Sequence, residues 1–317
     1  MALINSVQGL LDTSKLGFTL SHEHVLSASA GIQQTYPEFL DRQGALEQAT
    51  RQLAEAYQEG VRTIIDATPM DLGRDIRLLE EVSSRTGVQV IASTGNWQDI
   101  PRVFWNADPD RIAALYVREI QEGIEGTGIK AGVIKVANDR GGVSPQGEVV
   151  LRAAARAQRR TGVPISTHAW APERVGEQQV RIFEEEGVDL ARVYIGHSND
   201  TTDLDYLLGL LNKGVWLGMD RHPGGQFPGT PNWEQRAETV KKLVDAGYAG
   251  RVMLSHDWNV SSNIASQEAR ERRRQNNPDG YLFITRRFLP RLRELGVSEA
   301  AIHSMTVENP RRFLEGR

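Results

Sequence analysis

Eight short runs rich in β-branched and aliphatic residues recur along this chain, each followed by a longer amphipathic stretch, and that alternation constrains the fold more than any other feature. The runs are GFTLSHEH (17–24), VRTIIDAT (61–68), VQVIASTG (88–95), AGVIKVA (131–137), VPISTH (163–168), RVYIGH (192–197), VWLGMD (215–220) and RVMLSHD (251–257). They are apolar nearly throughout, as parallel strands buried on both faces are. Between them stand helix-like segments such as ALEQATRQLAEAYQEG (45–60), DRIAALYVREIQEGI (110–124), GEQQVRIFEEEG (176–187) and NWEQRAETVKKLVDAG (232–247). Most of these close on a glycine suited to the left-handed position that ends a helix. Eight such units predict an α/β chain folded as a (β/α)8 TIM barrel rather than an open sheet. No Pro/Gly/Ser-rich linker or shift of composition interrupts the series, so one domain over residues 1–317 is expected.

A barrel of this kind carries its active site at the C-terminal ends of its strands, and here strand after strand ends in a residue able to bind a metal. In the first run His22 and His24 are two residues apart, so an extended backbone points both to one face. An isolated pair of that spacing is equally well a polar strand end. In this chain, however, the fifth run ends in His168, the sixth in His197 and the eighth in Asp257. Histidines scattered through a core have no reason to prefer one rim.

Lys135 stands in the middle of the apolar run AGVIKVA. Burial disfavours an ammonium ion, so a lysine there must reach water, find a partner or lose its charge. Beside four histidines and a carboxylate another fate opens: a neutral amine carboxylated by CO2 becomes an anionic, two-oxygen bridge between metals.

Composition removes several other classes. The chain has 317 residues, 39% hydrophobic and 25% charged, as a globular protein does. Its net charge is only −4, which advertises neither nucleic acid nor a membrane surface. With no cysteine, disulfides, thiolate zinc sites and cysteine nucleophiles are excluded. MALINSVQGLLDTS does not have the pattern of a secretory leader, and no run of 18 apolar residues occurs, so a cytoplasmic location is the expectation.

The chain resembles the bacterial phosphotriesterase family of the amidohydrolase superfamily over nearly its whole length, through GFTLSHEH, EFLDRQGALE, GVRTIIDAT, GRDIRLLEEVS, REIQEGIEGTGIKAGVIKVA, TGVPISTH, GEQQVRIFEEEGVDLARVYIGHSNDTTDL, SHDW, NPDG and ENPRRFL. The resemblance implies that His22, His24 and Asp257 hold one metal and His168 and His197 a second, with carboxylated Lys135 and a hydroxide bridging them. It implies a proton path from Asp257 to Asp200, although Asp200 also suits a helix N-cap. It favours a homodimer. A pair of divalent cations about 3.5–4 Å apart acidifies a shared water and polarises a C=O or P=O group. Ligands of nitrogen and oxygen alone suit Zn, Mn, Co or Fe, with Zn the leading expectation.

The expected substrate is a small ester, lactone or organophosphate, chosen by the loops after the strands. Trp97, in STGNW, matches an aromatic pocket wall of the phosphotriesterases proper, and the loop from Trp258 to NPDG (277–280) resembles theirs in length. Arg221 stands where those enzymes carry histidine and the related lactonases arginine. The loop 222–231, with His222 and Phe227, is shorter than in the former. Arg221, Asp200 and Asp257 are therefore the expected catalytic residues, and Trp97, Arg221, His222, Phe227 and Trp258 the expected substrate contacts. Lactones and simple esters rank first and phosphotriesters second. A deaminase of the superfamily ranks lower, because a mononuclear site needs no bridging lysine. A barrel that only binds metal ranks lower still, since structural sites are closed. His256 should alternate to the face opposite Asp257 and pack there, and His303 should be structural. EARERRRQNN (268–277) reads as a solvated helix face. GTGIKAG (126–132) precedes a strand instead of following one, against a phosphate loop.

Overall fold

Burial of whole strands organises the molecule. The computed structural model describes residues 2–225 and 227–316. An antiparallel hairpin, β1 (Leu3–Ser6) and β2 (Gly9–Asp12), precedes β3 (Phe18–Ser27), β4 (Val61–Asp66), β5 (Gln89–Gly95), β6 (Val133–Asn138), β7 (Ile165–Ala169), β8 (Val193–Gly196), β9 (Trp216–Met219), β10 (Val252–Leu254) and β11 (Asn259–Ser262). Strands β3 to β11 form one sheet in which every pairing is parallel. Its order begins at β10 and ends with β3 beside β11. Because β10 and β11 are successive pieces of one stretch, the sheet returns on itself as the expected (β/α)8 barrel.

The helices that cover the barrel are set by local chemistry. In the helix Arg42–Gln58, Asp41 accepts from the Gly44 N–H at the start, and Ala45, Leu46, Ala49, Leu53 and Ala56 make the buried stripe. The helix Pro145–Thr161 begins with Ser144 as cap and Pro145 in its first turn, and Gly162 ends it in the left-handed conformation. At the bottom, Leu16, Ile65, Ile91, Val133, Trp216, Met253 and Phe313 form a second apolar cluster. That plug leaves the top as the open end.

The strand expectations hold in number and order and differ at the ends. RVMLSHD is laddered only over Val252–Leu254, because Asp257 has φ 54° and breaks the strand before β11 resumes it. His197, just past β8, has φ 58°. Left-handed backbone at non-glycine residues is strained and gathers at functional sites. Two of the expected ligands therefore occupy turns. GTGIKAG precedes β6, at the barrel end opposite these residues.

Candidate metal centre

The top of the barrel gathers all six expected ligands. His22, Lys135 and His197 are fully or almost fully buried, and His24, His168 and Asp257 nearly so. The Lys135 amine lies 2.9 Å from His22 Nε2. His24 Nε2 is 3.2 Å and His22 Nε2 3.9 Å from Asp257 Oδ1. His197 Nε2 and His168 Nδ1 are 3.0 Å apart. β5 comes so close to β6 that a Cβ on Gly95 would stand 1.9 Å from the Lys135 carbonyl oxygen.

Three of the four imidazoles, those of His22, His24 and His197, are anchored through their other nitrogen, which fixes the tautomer. Asp220 accepts from Nδ1–H of His22 at 3.0 Å and of His197 at 2.9 Å, and from the His197 backbone N–H and the Tyr194 hydroxyl, each at 2.7 Å. His24 Nδ1 lies 2.8 Å from Thr68 Oγ1, and His168 Nε2 3.4 Å from Asp139 Oδ2. Burial lowers the pKa of His22 to about 4, reinforced by Lys135, and drives His168 and His197 down as well. His22 is therefore neutral at pH 7, and His197 Nε2 and His168 Nδ1 face one another. Burial alone would raise Asp257, but His197, His24 and Arg221 hold it well below the usual range. Desolvation brings Lys135 down to about 8, and no carboxylate makes an ion pair with it among the described residues. The inward ring nitrogens and the Asp257 carboxylate suit divalent cations, and His22, His24 and Asp257 converge as a set of potential ligands.

Arg221 joins this cluster to Asp200. Its Nε donates to Asp257 Oδ2 at 3.0 Å and its Nη1 to Asp200 Oδ2 at 2.6 Å, while Arg236 reaches Asp200 Oδ1 at 2.8 Å. Asp200 is not a helix cap: Asp203 fills that role for the helix Leu204–Asn212.

The expected substrate contacts divide. Trp97 is half-buried, its ring centroid 6.3 Å from His168 in an edge-on pose, with its backbone N–H held by both oxygens of Asp71 at 2.9 Å. Phe227 lies under the Arg221 guanidinium at 5.1 Å and edge-on to Trp170. Trp258 is buried, its indole N–H bonded to Gln52. His222 goes elsewhere. Its ring packs 4.2 Å from Phe288, its Nδ1–H donates to the Ser255 carbonyl, and burial lowers its pKa to about 3. It follows Arg221 and alternates away from the site, so its placement does not support a substrate contact. Gln226, within the 222–231 loop, lies outside the described residues.

His256 packs as expected, with Nδ1 on Glu23 Oε1 at 2.7 Å and Nε2 accepting from the Ile284 N–H. His303 is on the surface, 3.5 Å from Glu308, and supports no core. Three contributors escaped the sequence reading. Asp220 orients two ligands. Glu23, between the two histidines, accepts from the N–H groups of His256 and Trp258 and so clamps both neighbours of Asp257. Arg273, in the supposedly solvated helix Gln267–Asn276, faces a cavity beside Trp258.

A closed parallel barrel whose C-terminal rim gathers histidines, an aspartate and a buried lysine defines the class: a TIM-barrel protein with a candidate divalent-metal centre. The chain belongs to the phosphotriesterase family, whose model matches residues 2–314. It is similar to a phosphotriesterase homology protein of Mycobacterium tuberculosis, 39% identical over 99% of this chain and 98% of the relative. An aryldialkylphosphatase of Saccharolobus solfataricus is 36% identical, over 96% of each chain. A solved structure of the phosphotriesterase from Mycobacterium tuberculosis superposes with a TM-score of 0.93 at 38% identity, covering 99% of this chain and 98% of that one. No helix among the described residues is long and apolar enough to cross a membrane.

Proposed function

We propose that this chain is a binuclear metal-dependent hydrolase of lactones and simple esters, with His22, His24 and Asp257 holding one divalent ion, His168 and His197 another, and carboxylated Lys135 between them. Bound ions would supply an acidified water and polarise the scissile carbonyl. The protein's own groups supply the rest. Asp257 is the base placed to take the proton released on attack, and Arg221 keeps its carboxylate ionised and aimed. Asp200, held between Arg221 and Arg236, continues the path away from the barrel.

The observation that carries the lactone and ester preference is Arg221, a buried guanidinium on both Asp257 and Asp200. It places a fixed charge and a compact wall where a phosphotriester would need room for three substituents. A planar carbonyl needs less enclosure, because one face open to attack suffices. Trp97, edge-on to His168, favours the second reading, a phosphotriesterase in which an aromatic wall accepts an aryl leaving group.

The test compares kcat/KM on one metal-loaded preparation for several γ- and δ-lactones, an aryl ester and an aryl dialkyl phosphate. The lactones or the ester should lead. A phosphotriester ahead by more than about tenfold, roughly 1.4 kcal/mol of transition-state preference, would reverse the order.

A further inference from the structure

A cavity of about 590 Å³ opens between Phe227, Trp258 and the helix Gln267–Asn276. Four arginines of that helix, at positions 270, 272, 273 and 274, line it, and no carboxylate does. Arg270, Arg273 and Arg274 fall at the i, i+3, i+4 spacing of one helical face. Most arginines of this chain that lie in clusters are paired, as Arg152 is with Glu148, Glu185 and Glu186. Arg272, Arg273 and Arg274 have no ion pair among the described residues, and Arg270 donates only to the Ser262 carbonyl. The acids of the same helix are turned to other partners: Glu268 to Ser266 and Glu271 to Gln275.

We propose that this cavity binds a distal anionic group of the substrate, a carboxylate or sulfonate at the end of an aliphatic acyl chain, held chiefly by Arg273 with Arg270 and Arg274. The proposal rests on the hydrolase reading above and names its substrate class. The cavity is two-natured. Val260, Ile264, Ala265 and Ala269 offer an apolar wall to a methylene chain, and the guanidinium groups stand beyond it. A neutral chain would cover the wall and leave half-buried positive charge facing it unpaired, which is unfavourable. An anion at the end of that chain satisfies both, through the charge-assisted hydrogen bonds that guanidinium groups make to planar oxyanions. The cavity adjoins the site through Phe227, which lines it and lies under the Arg221 guanidinium at 5.1 Å.

Two arms test this. In the first, kcat/KM is measured for mono-p-nitrophenyl adipate and for p-nitrophenyl hexanoate, which differ in the charged end of the acyl chain. Wild type should prefer the adipate by about tenfold or more, and the ratio should fall at least about fivefold in Arg273→Met and in Arg270→Met. In the second, binding of hexanesulfonate to metal-free protein is followed by calorimetry. It should be saturable in wild type and weakened about tenfold or more in Arg273→Met. The helix buries no residue, so these variants should fold. Equal rates on the two esters, or a preference that survives in Arg273→Met, overturns the proposal. If neither ester is hydrolysed, the hydrolase reading fails and the sulfonate decides alone: binding lost in Arg273→Met upholds the anion site, and absence of binding overturns it.

Discussion

Lys135→Ala should lower kcat/KM by about a thousandfold or more, roughly 4 kcal/mol of transition-state stabilisation, and acetate or propionate should restore part of the loss. Lys135 is buried in β6 with its amine on His22 Nε2 and no carboxylate paired to it. An ammonium ion at that point would crowd the very nitrogens that must ligate. A neutral amine that adds CO2 and releases a proton becomes a carbamate, and the anion offsets the charge of two divalent ions where imidazoles cannot. The alanine variant leaves a space that a short carboxylic acid fills with the same two oxygens. Full activity in the variant, or density ending at a bare amine with two ions bound, would contradict the assignment.

The second large effect concerns the histidines. His24→Ala and His197→Ala remove ligands from different halves of the site, so each should cut activity by about a thousandfold, again roughly 4 kcal/mol. Each should also lower the metal content toward one ion per chain, which atomic absorption on the purified variant reads directly. The loss follows from geometry. His197 is fixed by Asp220 and turned on His168, and His24 is fixed by Thr68 and turned on Asp257. Variants with undiminished metal and activity would sink the ligand assignment.

Residues whose position follows from the strand period were legible in the sequence. His22, His24, Lys135 and His168 could be placed on one rim because strand ends and alternation fix both height and direction, and His197 and Asp257 because each closes an apolar run, although both occupy turns. Asp220 carried the same signal, an acidic residue closing VWLGMD, and was passed over because it completes no motif of its own. Glu23 was hidden by the histidines on either side, although alternation turns it to the opposite face, where it clamps Trp258 and His256. His222 stands in the loop 222–231 expected to meet substrate, yet its ring packs on Phe288 and its Nδ1–H donates to the Ser255 carbonyl, a long-range packing that no local pattern reveals. Asp200 suited a helix cap as well as a proton path; Asp203 is the cap, and packing brings two arginines onto the Asp200 carboxylate. The run EARERRRQNN has the composition of a solvated helix, and no local pattern reveals that Phe227 and Trp258, distant in sequence, form a cavity against it.

The most direct test of the account is the metal content of the wild-type protein set beside its activity. Protein purified without chelators and assayed on a lactone should carry about two divalent ions per chain. Exhaustive chelation should abolish hydrolysis, and titration with Zn, Mn or Co should restore it, reaching a plateau near two equivalents. Fully active protein with a stoichiometry near zero, or activity that saturates at one ion and is untouched by the second, would contradict the binuclear centre.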